Sequence, residues 1–114
     1  MNLGGKAEFL GRVISQTTDG QIQIELYLRC IKRMEDDYTL WFHADVEGRT
    51  TTFDHVLPTS EWRVGHIVQD ALVLDLPPGR YDLSFGLWMW QDGRRLWRVD
   101  NGEPGIPLGQ VEIR

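Results

Sequence analysis

The chain has 114 residues, 41% of them hydrophobic, 25% charged and 11% aromatic, with a formal charge of −5. That length suits a single domain over 1–114, because two halves would each lack an interior. The acidic balance argues against a nucleic-acid partner or an anionic lipid surface, and no apolar run reaches the ~20 residues of a membrane-spanning helix.

Met1 to Lys6 carries no basic-then-apolar leader pattern. From there the hydrophobic period is two almost throughout. Glu8 to Gln16 reads as a first strand. Ile22, Ile24, Leu26, Leu28 and Cys30 alternate with Gln21, Gln23, Glu25, Tyr27 and Arg29, which describes a strand with one buried face. Cys30 continues the apolar side, so it reads as buried filler rather than a nucleophile. As a lone cysteine it also excludes an internal disulfide or a multi-cysteine zinc site. The charged stretch Ile31 to Tyr38 reads as a connection. Leu40, Phe42, Ala44 and Val46 then alternate with Trp41, His43, Asp45 and Glu47, and a partner strand follows over Arg49 to His55.

Trp62, in Pro58-Thr59-Ser60-Glu61-Trp62, reads as an anchor pinning a loop to the end of the fold. Further strands are expected over Val68 to Leu76, Tyr81 to Met89, Arg94 to Val99 and Leu108 to Ile113. Asp19-Gly20, Glu47-Gly48 and Asp92-Gly93 are short hairpin signals, and Pro77-Pro78-Gly79 turns without donating ladder hydrogen bonds. Asn101 to Gly109 reads as a loop. About eight short, evenly spaced strands predict an all-β fold: an antiparallel β-sandwich of immunoglobulin-like or jelly-roll type.

Two hairpins can be placed in register. With Glu47-Gly48 as a two-residue turn, Val46 faces Arg49, Phe42 faces Phe53, His43 faces Thr52 and Trp41 faces Asp54. Trp41, His43, Asp45 and Asp54 then share the face away from the core, and His55 falls on the other side. With Asp92-Gly93 as a two-residue turn, Met89 faces Leu96, Trp88 faces Trp97 and Trp90 faces Arg95. Three of the chain's five Trp then form one patch with an Arg, beside Gly86.

Read in order, the segments also resemble a family. They run Phe9-Leu10-Gly11, Ile24 to Arg29, Asp37 to His43, Glu47-Gly48-Arg49, Asp54-His55 and Pro58 to Trp62. They continue through Gly65, Pro78 to Leu83, Gly86-Leu87-Trp88, Gly93 to Leu96 and Leu108 to Ile113. This series resembles the β-sandwich domain appended to the C-terminus of bacterial multi-span membrane glycosyltransferases that use lipid-linked sugars. The resemblance implies an accessory domain on the outer side of the cytoplasmic membrane (extracytoplasmic), placed near glycans, with the membrane glycosyltransferase core as a partner. It implies no catalytic residues. The chain departs from the pattern in a short Asp54–Pro58 segment and in Leu28, where an aromatic is common. Trp90 and Trp97 look like additions, so a site built on them does not carry over from the family.

The residues themselves suggest the chemistry of binding. Sugars dock on aromatic platforms because their axial C–H faces are apolar while their edges carry hydroxyls. Trp88, Trp90 and Trp97 would supply the platform, and Arg95, Asp92 and Gln91, with Arg94, the polar bonds. Ten Arg stand against two Lys, and Arg both stacks on rings and binds paired oxygens. Trp and Arg equally favour a protein partner or a second copy of the chain, giving a homodimer. Trp41, His43, Asp45 and Asp54 form a second candidate face, whose ordinary reading is an inter-strand hydrogen-bond cluster rather than a metal site. Asp100, Asn101 and Glu103 lack the fixed spacing of a calcium loop. No Ser sits in a Gly-x-Ser-x-Gly elbow. The sequence therefore reads as a noncatalytic binding or docking module without a metal or other cofactor, with carbohydrate as the first ligand class and a protein-interaction or dimerisation role as the alternative.

Overall fold

The alternation over residues 21–30 holds in three dimensions: Ile22, Ile24, Leu26, Leu28 and Cys30 are fully buried, and the residues between them face outward. The computed structural model describes residues 1–17 and 21–113; the Asp19-Gly20 turn lies outside them. Two four-stranded antiparallel sheets are formed. In the first, β1 (Asn2–Leu3), β2 (Ala7–Gln16), β3 (Gln21–Cys30) and β6 (Ile67–Asp75) lie in that order. In the second, β5 (Arg49–Val56) and β4 (Thr39–Val46) are followed by β7 (Gly79–Trp88) and β8 (Ile106–Ile113). A short 3₁₀ turn, Thr59–Glu61, links β5 towards β6, and no α-helix occurs among the described residues.

The fold is thus an eight-stranded antiparallel β-sandwich. β2-β3-β6 facing β5-β4-β7-β8 follows the immunoglobulin strand order, with β5 in the place of the extra strand beside the C strand. A tyrosine corner supports the same alignment. Tyr81, near the start of β7, donates its hydroxyl hydrogen to the Pro77 carbonyl 2.7 Å away, tying the strand to the turn that feeds it.

The core lies between the sheets. Phe42 pairs with Phe53 on one side and Phe85 on the other, and Phe9 of the opposite sheet meets Phe85 edge-on at 5.1 Å between ring centroids. Each such side chain contributes about 1.5–3 kcal/mol by leaving water. The β4–β5 register is the expected one at every pair named above. Cys30 is buried, and desolvation pushes its thiol pKa up, which fits the filler reading. Trp62 is 7% exposed and joins the core as an anchor.

Two expectations need correcting. Arg94 to Val99 is not a strand, and the loop expected over Asn101 to Gly109 gives way to β8 at Ile106; β1, with two residues, was too short to signal. After Leu96 the chain leaves β7 and crosses to the first sheet, where the Gly4 N–H donates to the Trp97 carbonyl, Leu3 bridges Arg98 and the Val99 N–H donates to the Asn2 carbonyl.

Candidate functional site

The aromatic hairpin is a direct extension of β7. Beyond Trp88 the Met89 N–H donates to the Arg94 carbonyl at 2.6 Å, and the Gly93 N–H donates back to Met89 at 2.7 Å. The loop is therefore Trp90–Gly93, longer than the expected Asp92-Gly93 turn. Trp88 consequently bridges Arg95 rather than Trp97, and the Leu96 N–H bonds Leu87, so the Met89–Leu96 and Trp90–Arg95 pairings do not form. Within this longer loop the Asp92 side chain accepts the Arg94 N–H at 2.9 Å, an Asx-type bond that suits it.

The three Trp take different positions. Trp88 is half-buried, while Trp90 and Trp97 are 60% and 51% exposed. Gln91, Asp92, Arg94 and Arg95, in the same segment of the chain, are exposed. Asp92 is committed to its neighbour: its Oδ2 lies 2.6 Å from Arg94 Nε, and the Arg94 backbone N–H is the largest influence holding its carboxyl below the usual range. Arg94 also reaches Asp36 at 3.5 Å. Arg95 has no ion pair among the described residues, so with Gln91 it remains available to a ligand.

The second face is assembled as the register requires, with Trp41, His43 and Asp45 on β4 and Asp54 opposite Trp41 on β5. It is not an open platform. Trp41 is only 8% exposed, lying over Gly86 and under Gly105, with its ring 4.5 Å from that of His43. Asp45 accepts a hydrogen bond from the Thr50 hydroxyl. Among the described residues no group of three or more His, Cys, Asp or Glu is placed to hold a metal ion. His55 points to the other side and meets Asp70 of β6 at 2.9 Å. In the 99–105 loop, Asp100 is paired with Arg98 at 2.7 Å and Asn101 accepts the Glu103 N–H, so these oxygens are already engaged.

Sequence reasoning missed Thr39. It is buried next to Trp88 in register, and its Oγ1, like Trp41 Nε1 and Trp88 Nε1, is buried without a hydrogen-bond partner among the described residues. Its place in the β4 alternation, on the same face as Trp41, was the available signal. Comparison with known proteins finds no matching family model, no matching curated protein and no matching solved structure.

Proposed function

We propose that this sandwich is a noncatalytic docking module that meets its partner through Trp90 and Trp97, with carbohydrate as the ligand class. The carrying observation is their exposure, 60% and 51%, in a chain that packs Trp41 and Trp62 to 8% and 7%. An indole left in water forgoes burial that a partner can supply. Gln91, next to Trp90 in the chain, and Arg95, paired with Trp88, are exposed and offer the polar groups that sugar hydroxyls need. The accessory role in cell-envelope glycan assembly, the glycosyltransferase partner and the extracytoplasmic setting rest on the resemblance of the ordered segments described above.

Calorimetric titration against cell-envelope glycans, with Trp fluorescence, tests the reading. Trp90→Ala and Trp97→Ala are each expected to weaken binding roughly tenfold. Both positions are exposed, so stability should stay within about 0.5 kcal/mol of the parent. A parent that binds none of these glycans would sink the carbohydrate reading.

A second reading is favoured by Val99, 65% exposed just beyond Trp97. An aliphatic group there suits a protein surface or a second copy better than a sugar. Sedimentation showing a concentration-dependent dimer that Trp90→Ala dissociates would establish it.

A further inference from the structure

The edge of the first sheet at β6 is open. The nine residues of β6 pair with β3 without a break in register, and among the described residues no strand lies on the other side. The immunoglobulin order places a further strand there, but this chain runs from β5 through the 3₁₀ turn to β6. The Cys30 N–H donates to the His66 carbonyl at 3.0 Å, and the Gly65 N–H donates to the Cys30 carbonyl at 2.8 Å. Alternation from that pair turns the backbone groups of Val68, Asp70, Leu72 and Leu74 towards β3. Those of Ile67, Gln69, Ala71, Val73 and Asp75 point outward, and no hydrogen bond reaches them among the described residues.

Strand edges are commonly kept apart by proline, basic side chains, bulges, short length or a covering segment. β1 has two residues and is covered by residues 97–99. β8 holds Pro107, and the Arg12 and Gln16 side chains of β2 donate to its Leu108 and Glu112 carbonyls. β5 is bare as well, but it carries the basic Arg49 and a single exposed aliphatic residue, Val56. β6 has no proline, no basic residue and no bulge, and it exposes Ile67 and Val73 at 58% and 59%. Of its two acidic residues, Asp75 stands at the end and Asp70 turns inward to His55 at 2.9 Å.

We propose that β6 pairs antiparallel with β6 of a second copy about a twofold axis at Ala71, joining the two first sheets into one. This register overlaps the whole strand, and the strand complements itself in it. On the outer face Ala71 meets its counterpart, Gln69 meets Val73 and Ile67 meets Asp75; on the inner face Asp70 meets Leu72 and Val68 meets Leu74. No charge stands directly opposite a like charge. The one like-charge approach is diagonal, between the two Asp70 residues, each engaged by its own His55. Ile67 of one copy becomes the diagonal neighbour of Val73 of the other, so both exposed aliphatic groups leave water together. The outward N–H and C=O groups meet as hydrogen-bonded pairs. A twofold contact requires a patch that complements itself, and this property selects a second copy over an unrelated strand. β6 lies at the edge of the first sheet opposite β1, where residues 97–99 pair, so the contact is independent of the docking reading.

A single strand pair buries less than a standard interface, so the association is weak and shows at high concentration. Sedimentation from about 10 µM to about 1 mM should reveal a dimer that forms with concentration. Ala71→Glu should raise its dissociation constant at least roughly tenfold, because each new carboxylate faces its counterpart beside Glu25 of its own β3. An equimolar mixture with Ala71→Lys should restore association through mixed pairs, which also shows that the variants are folded. The outward amides of Ile67, Gln69, Ala71 and Val73 should exchange roughly tenfold more slowly in the dimer. A monomer throughout, a dimer that Ala71→Glu leaves unchanged, or a loss that Ala71→Lys does not restore would overturn the proposal. A dimer dissociated by Trp90→Ala but not by Ala71→Glu would overturn it in favour of the Trp face.

Discussion

Gly86 shows how a single residue arranges the outer face of the second sheet. A Cβ built there would lie 2.5 Å from Trp41 Cε2 and 2.6 Å from the Pro104 carbonyl oxygen. Only glycine lets the indole lie flat on β7 while the Pro104-Gly105 segment closes over it. Gly86→Ala is therefore expected to cost about 1–3 kcal/mol in urea denaturation, because ring and loop must both move. Gly11 is the control, since a Cβ there meets nothing within 4 Å. Gly11→Ala should be neutral or gain up to about 1 kcal/mol from a stiffer unfolded chain. Equal effects at the two sites would mean that Trp41 is not held by this slot. Trp41 thus serves as packing on the face away from the core, and the exposed work is left to Trp90 and Trp97.

At the scale of elements, two hairpins with similar turn signals behave differently. Glu47 and Gly48 both have positive φ, 47° and 78°, as a two-residue type I′ turn requires. Glutamate is a poor occupant of that backbone region and asparagine a good one. Glu47→Asn should therefore raise stability by about 0.5 kcal/mol, read as a higher denaturation midpoint at constant slope; a loss would mean that Glu47 holds the turn through its side chain. In the other hairpin Gly93 alone has positive φ, at 76°, and Asp92 instead caps the Arg94 N–H. The sequence carried the alternation, the inward set from Leu40 to Leu87 and the first register, because these depend on local period and turn chemistry. It could not fix the second register: sliding the pairing from Trp97 to Arg95 keeps every side chain on its own face, so the hydrophobic pattern is the same for both. Nor could it foresee the departure towards β1, since that depends on segments far apart in the chain.

At the scale of the whole molecule, the connections are joined by carboxylates whose ionised forms the fold favours. Asp37 is held below the usual carboxylate range chiefly by the Ser60 hydroxyl, Asp92 by the Arg94 N–H, and Asp100 by hydrogen bonding to the Arg98 guanidinium. A folded pKa below the unfolded one means that the unfolded chain binds the proton more readily. The stability this supplies is complete above the unfolded-state pKa and is lost as pH falls through the folded one. The contribution of these carboxylates to Tm should therefore persist on modest acidification and fall away only in the acid range. Asp37 is the informative site because it joins the Asp36–Tyr38 connection to the 3₁₀ turn. Asp37→Asn keeps an acceptor oxygen for Ser60 but removes the charge. Its Tm should lie below the parent's at pH 7, and the gap should narrow as both are acidified and the parent's Asp37 takes up its proton. A gap that stays constant as pH falls would show that Asp37 acts there through shape alone, and that the link to the 3₁₀ turn does not depend on the ionised carboxylate.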